Sequence, residues 1–174
     1  MRISCHCLVK NEARFIWYSV MSVIDHVDEI LVWDMESSDK TVEIINSIES
    51  KKIKFKEIGI RDSQKISELR QKMLEITEAD WVFILDGDEV WSEEAIRGIE
   101  NSKCDVIVIP TLMLIGDIYH YQEKEAGRYK IADKVGHYNI RAFRRNIEGL
   151  HVEGVYPNEA YVDGSGIKLQ DFPK

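Results

Sequence analysis

Proline and cysteine are scarce in this chain, three of each among 174 residues, and no apolar run approaches the roughly 20 residues that cross a bilayer. The prolines (Pro110, Pro157, Pro173) all lie late, so nothing before residue 110 breaks a regular succession of strands and helices. No internal repeat, low-complexity tract or Pro/Gly/Ser linker divides the chain, which argues for one compact domain over residues 1–174. An odd cysteine count, Cys5, Cys7 and Cys104, argues against a disulfide framework and for a reducing compartment. Positive charge is short as well. Lys and Arg number 23 against 31 Asp and Glu, a net charge of −8 with a pI near 5.2. Such a chain lacks the basic face of a nucleic-acid or anionic-membrane binder; its one basic cluster is Arg141, Arg144 and Arg145. Arg2 to Val9 reads directly as strand, too short for a leader or a span. The expectation is a cytoplasmic protein without a transmembrane segment, at most peripheral at the inner face of the membrane.

What is present is enough for a core: 44% of residues are hydrophobic and 31% charged. Short apolar runs alternate with segments of helical period, the pattern of βαβ units feeding a mostly parallel sheet. Ile3–Val9, Ile30–Trp33, Ile53–Ile58, the run ending at Leu85, and 105–109 read as strands. Helices are predicted from about Glu12 to Val27, from about Ser38 as a cap, from about Ser63 to Thr77, and over 92–100 behind Ser92. From Thr111 the pattern changes to aromatic and polar residues with glycines, the mark of hairpins and loops. The domain therefore reads as two halves, 1–110 and 111–174. In Cys5-His6-Cys7, strand alternation puts the cysteines on one face and His6 on the other, so a core role outweighs a shared metal.

The most informative stretch is Val82-Phe83-Ile84-Leu85-Asp86-Gly87-Asp88, with Glu89 behind it. A fully apolar strand stopping abruptly at two acids puts carboxylates at the carboxyl end of a strand, where open α/β sheets hold their ligands. Asp86 and Asp88, either side of Gly87, offer hard oxygen ligands to Mg²⁺ or Mn²⁺, and such a cation in turn binds a diphosphate.

Four pieces in this order resemble glycosyltransferase family 2, the nucleotide-diphospho-sugar transferases of the GT-A fold. They are Leu8-Val9-Lys10-Asn11-Glu12 after the first strand; Asp34 to Thr41, with Ser37, after the second; Glu68-Leu69-Arg70 on the third helix; and the Asp86-Gly87-Asp88 motif. A fifth stretch, Gly136 to Arg145, is similar to the family's strand ending in Arg, Leu or Ala, Phe and Arg. The resemblance implies a Rossmann-like, mostly parallel sheet flanked by helices, with a β-hairpin and loop-rich acceptor side at its C-terminal end. It also implies a metal-dependent, inverting transfer of a sugar from a UDP, GDP or dTDP sugar to a hydroxyl of a glycan or lipid-linked acceptor, as in cell-envelope polysaccharide synthesis. Val9, Lys10, Asn11, Glu12, Asp34, Ser37, Arg70, Asp86, Gly87 and Asp88 would bind the donor. Asp88 and Asp86, with His151 and His137 as further candidates, would hold a divalent Mn or Mg ion. Glu159, ahead of Glu153, would be the base. Two departures stand out: Glu36 replaces the usual glycine of the second loop, and the chain stops at Lys174, shorter than most relatives.

Each residue also has a plainer reading when taken alone. The acids after the strand can cap a helix, Asp34 and Asp39 can close turns, Arg70 can lie on a solvated face, and the two histidines can be structural. Trp17, Trp33, Trp81 and Trp91 read as core rather than sugar platform. Tyr119, His120 and Tyr121 fit either a sugar stack or an exposed hairpin. Two other classes compete. A non-catalytic sugar-nucleotide or glycan binding module shares these motifs, whereas a haloacid dehalogenase-type phosphatase would need its nucleophile earlier and an acidic pair later.

Overall fold

The computed structural model describes residues 1–59, 65–127, 129–131 and 134–172. The first four apolar runs form β1 (Ile3–Val9), β2 (Glu29–Asp34), β3 (Ile53–Glu57) and β4 (Trp81–Ile84), mutually parallel and ordered β3-β2-β1-β4. Helices α1 (Ile16–Val23), α2 (Thr41–Ser47) and α3 (Ile66–Ile76) connect them, and α4 (Glu93–Glu100) leads to β5 (Val106–Pro110). Two hairpins follow, β6 (Leu114–Ile115) with β7 (Asp117–Tyr121) and β8 (Tyr129–Ile131) with β9 (Lys134–Gly136). The chain then returns to the main sheet as β10 (Tyr138–Arg144), antiparallel between β4 and β5, so residues of the second half are interior to the sheet of the first. A last hairpin pairs β11 (His151–Glu153) with β12 (Ala160–Val162). No helix among the described residues is long and apolar enough to cross a membrane.

Strand order explains the layering. The chain steps outward through β1, β2 and β3, then jumps back past β1 to β4. Because crossovers between parallel strands are right-handed, that reversal sends α3 to the opposite face from α1 and α2. Ile3, Cys5, Cys7 and Val9 of β1 pack with Ile16, Val20 and Val23 of α1, Ile45 of α2, and Ile96 and Ile99 of α4. On the other face Leu31, Trp33 and Met35 meet Leu69 and Met73 of α3, while Leu74, Val82, Ile84 and Phe143 are covered by Leu150 and Leu169. Cys5 and Cys7 are fully buried on the first face and His6 on the second, as alternation requires.

Several boundaries differ from the sequence expectation for local reasons. Helix α1 starts at Ile16 rather than Glu12, because the Glu12 and Ala13 amides donate to the side chains of Thr41 and Asp39. Ser38 does not cap α2: its amide and hydroxyl donate to Asn11 Oδ1, and Asp39 accepts from the Thr41 amide at 3.0 Å instead. Ser92 does cap α4, accepting from the Ala95 amide. The expected helix start at Ser63 lies outside the described residues, and α3 is helical from Ile66. Trp33 and Trp81 are buried and Trp91 stands edge-on to Phe83, but Trp17 is 45% exposed, because Ile16, Ser19, Val20 and Val23 take the inward face of α1.

His6 adds a pH dependence. The Thr77 hydroxyl donates to Met73 O, so it accepts from His6 Nε2–H at 2.7 Å, and Nδ1 is left buried without a partner. Burial, helped by Arg70 and Arg145, lowers the His6 pKa from 6.5 to about 3. The unfolded chain thus binds the proton first, and stability is expected to fall by about 1.4 kcal/mol per pH unit below the ordinary value. Urea titrations between pH 7 and pH 4 check this: His6→Gln should flatten that slope, and an unchanged slope would exclude His6 as its source.

Candidate active site

The reversal of strand order lies between β1 and β4, and open α/β sheets bind ligands where the carboxyl ends of strands diverge at such a point. Beyond Val9 the chain turns through Lys10 and Asn11, Asn11 adopting a left-handed φ of 59°. The turn is laced to the loop after β2. The Asn11 amide donates to Ser37 Oγ (2.8 Å), the Ser38 amide to Asn11 Oδ1 (2.8 Å), the Glu12 amide to Thr41 Oγ1 (2.7 Å) and the Met35 amide to Val9 O (2.8 Å). Asp34 is buried, its carboxylate accepting from the amide and hydroxyl of Ser37, so it closes this loop as a turn residue. Glu36 has φ 58°, a conformation glycine adopts without penalty, which accounts for the usual glycine at this position of the family it resembles.

The acidic motif sits against this platform. A side chain on Gly87 would meet Glu12 Cγ at 2.8 Å and Val9 Cγ1 at 3.2 Å, so only glycine lets the two loops approach so closely. Helix α1 holds the motif from below, Ser19 Oγ donating to Gly87 O at 2.7 Å and Ser22 Oγ accepting from the Trp91 amide at 3.1 Å. Asp86 accepts from Arg141 Nη2 at 2.8 Å, and the same nitrogen donates to Glu89 Oε1. Asp88 is exposed. Negative charge accumulates here: burial and then Asp88, Asp39 and Asp86 raise the Glu12 pKa. Burial also raises that of Glu89, against the pull of Arg141. Glu12, Asp86, Asp88 and Glu89 thus form an acidic cluster in which Arg141 holds Asp86 and Glu89, and Asp88 faces solvent.

His137 and His151 do not join these acids, and among the described residues no three His, Cys, Asp or Glu side chains are gathered for a metal. His151 turns Nδ1 to Gly149 O (2.7 Å) and Nε2 to Glu153 (2.9 Å). Both nitrogens donate, the pKa is raised by Glu153 and then by Gly149, and no lone pair is left for a metal in this arrangement. His137 Nε2 is buried without a partner. Glu153 is exposed and engaged with His151. Glu159 is mostly buried, with Oε1 3.6 Å from Arg70 Nε and Oε2 buried without a partner. Arg70, far from lying on a solvated face, is enclosed by Tyr161, Asp86 and Glu159, which together hold its pKa up against burial.

Sequence reading placed Arg141 in a motif but missed its bond to Asp86, and missed Glu89, Tyr161 and Ser19 as supports. Arg141 and Asp86 are 55 residues apart and meet only because β10 enters beside β4. Simple strand alternation gave no guide to it, because the register against β5 shifts at Arg141, between Ile140 and Ala142.

The sequence model of glycosyl transferase family 2 matches residues 4–146. The SPbeta prophage-derived glycosyltransferase SunS of Bacillus subtilis is 31% identical over 118 residues, which cover 62% of this chain and 26% of that protein. An uncharacterized glycosyltransferase of Rickettsia bellii is 34% identical over 99 residues, 57% of this chain and 32% of its own length. The matched part is thus about a quarter to a third of these curated relatives. Among solved structures, S. aureus TarS 1-349 in complex with UDP-GlcNAc has a TM-score of 0.62 at 17% identity, covering 84% of this chain and 46% of that one. Glucosyl-3-phosphoglycerate synthase from Mycobacterium tuberculosis, with Mn²⁺, UDP-Glc and phosphoglyceric acid, has a TM-score of 0.54 at 16% identity, covering 84% and 57%. These likenesses establish a shared GT-A fold.

Replacing Arg141 by Met would strand Asp86 and the largely buried Glu89 without their cation, at an expected cost of about 3 kcal/mol. Arg141→Met with Glu89→Leu should recover most of that loss. Urea unfolding measures both, and a single variant as stable as the parent would show that the pair holds nothing in place.

Proposed function

The chain belongs to glycosyl transferase family 2, and from that premise we propose that it transfers a sugar from a nucleotide-diphosphate sugar to a hydroxyl acceptor, with a divalent metal and inversion at the anomeric carbon. The observation that carries this reading is the seat of Asp86-Gly87-Asp88 against Glu12 at the strand-order reversal. The neighbours' complexes with UDP-GlcNAc and with Mn²⁺ and UDP-Glc support a nucleotide-sugar donor and a metal. A glycan or lipid-linked acceptor is our reading of the family resemblance.

The chain's own residues divide the work. The loops at Val9 to Glu12 and Asp34 to Ser37 form a pre-tied edge for the base and ribose, with polar groups fixed before the donor arrives. A divalent metal held by Asp88 and Asp86 would neutralise the departing diphosphate as a Lewis acid. Arg70, enclosed beside Asp86, is placed to meet a phosphate oxygen. Glu159 is our choice of base over Glu153: it stands beside Arg70 with one oxygen uncommitted, whereas Glu153 is spent on His151 in solvent. Removal of the acceptor proton from the side opposite the leaving group gives the inverted product.

In a thermal-shift panel of UDP, GDP and dTDP with and without Mn²⁺, one nucleotide should stabilise the chain only with the metal, by about 2.7 kcal/mol at a hundred times its dissociation constant. Asp88→Ala should abolish that shift and lower turnover about a hundredfold. Glu159→Gln should lower turnover at least as much while keeping the shift, and Glu153→Gln should change neither turnover nor shift. Absence of a metal-dependent shift with every nucleotide would defeat the donor assignment. A shift without turnover on any acceptor would leave a binding module.

A further inference from the structure

Among the described residues, the Glu159 side chain is fixed by no hydrogen bond. Its Oε1 stands 3.6 Å from Arg70 Nε, and its Oε2 is buried without a partner. Its place must therefore come from the backbone of its own hairpin. β11 and β12 form a sheet of only two three-residue strands, separate from the main sheet, and a ribbon that small is marginal in water by itself. Leu150 and Val162 bury its root, and Tyr161 packs on Phe143 with ring centroids 4.5 Å apart. Apolar contacts have no direction, so they fix the position of the ribbon more than its tilt.

Helix α3 supplies a directional tie. The Val152 amide, in the middle of β11, donates to Gln71 Oε1 at 2.8 Å. Val152 faces Tyr161 in the register, and an amide that bonds the helix points away from β12, so Gln71 does on the free edge of β11 what a neighbouring strand would do. The carboxamide is itself held: Gln71 Nε2 donates to Glu75 Oε1 at 2.9 Å, one helical turn on, which leaves Oε1 as the end that receives Val152. From Val152 the path to Glu159 is short and tight. Gly154, at φ 88°, lets the turn fold so closely that a Cβ there would meet Asn158 O at 2.7 Å and Glu159 Cα at 3.2 Å, and the Asn158 amide donates to Val155 O at 2.8 Å. Arg70 is the residue before Gln71, so neighbours on α3 carry both the cation beside Glu159 and the tie that sets its hairpin.

We propose that Gln71 is a positioning residue for the base: by holding the Val152 amide it sets hairpin β11–β12 at the tilt that keeps Glu159 beside Arg70. This role rests on Glu159 being the base, as read above. The hydrogen bonds of Gln71 go to Val152 and Glu75, none of them to the donor loops or the acidic motif. Its loss should therefore spare donor binding and misplace the carboxylate on the acceptor side, where an error of about 1 Å costs up to about a hundredfold in rate.

Steady-state release of nucleotide diphosphate tests this, with Mn²⁺ and the UDP, GDP or dTDP sugar whose nucleotide gives the metal-dependent shift. Gln71→Met is expected to lower kcat about tenfold or more while the KM for the donor and the nucleotide shift are retained. Gln71→Glu with Glu75→Gln exchanges the two ends of the pair and keeps an acceptor for Val152, so it should restore kcat to within about threefold of the parent. In a Glu159→Gln background, Gln71→Met should lower kcat no further, because the two act on one step. Should Gln71→Met fail to fold, Gln71→Ala is read in the same way. Parental kcat in the folded Gln71 variant would overturn the role while leaving Glu159 as base, as would losses that multiply in the double variant or an exchange that restores nothing. Parental kcat in Glu159→Gln, or a parent that releases no nucleotide, would instead defeat the reading of the site, and this role with it.

Discussion

The contact on which the site depends is the close approach of Gly87 to Glu12 and Val9. Strand order brings β4 beside β1, and the absence of a side chain at 87 lets the loops at their ends touch. Everything proposed for the site depends on that contact. It puts Asp86 and Asp88 next to the platform that Asn11, Ser37 and Thr41 tie together, and it does so without bending either strand. A methyl group there would press on Glu12 and on Val9, and Val9 is itself part of the core.

Electrostatics at the crevice are arranged as an imbalance rather than a set of closed pairs. Glu12, Asp39, Asp86, Asp88 and Glu89 crowd one side, and Arg141 and Arg70 answer only part of that charge. Burying carboxylates beside one another is costly, and such sites persist where a ligand completes them. The two arginines differ in kind. Arg141 spends one nitrogen on two acids and fixes the motif, while Arg70 joins the acids at β4 to Glu159 on the last hairpin, a link between the two halves of the chain.

How much could be read beforehand follows the range of each interaction. The alternation of Ile3, Cys5 and Cys7 with Ser4 and His6, and the apolar run before Asp86, are local patterns, and the strands they predicted formed within a residue or two. Helix starts were less legible, because Glu12 and Ser38 gave their hydrogen bonds to a neighbouring loop that local sequence does not reveal. Arg141 was invisible as a partner of Asp86 for the same reason at longer range, since its strand is inserted out of order. Glu36 shows the opposite case: it stood out only as a departure from glycine, and its left-handed backbone explains why that departure is unusual.

Helix α1 carries a consequence for the acidic turn. Its Ser19 and Ser22 grip the backbone at Gly87 and Trp91, while its inner face is locked into the core by Ile16, Val20 and Val23. The acidic turn is therefore tied at two backbone points to a helix whose inner face is part of the core. Anchored in this way, the turn leaves its two acids unlike each other, Asp86 clasped by Arg141 and Asp88 open to solvent.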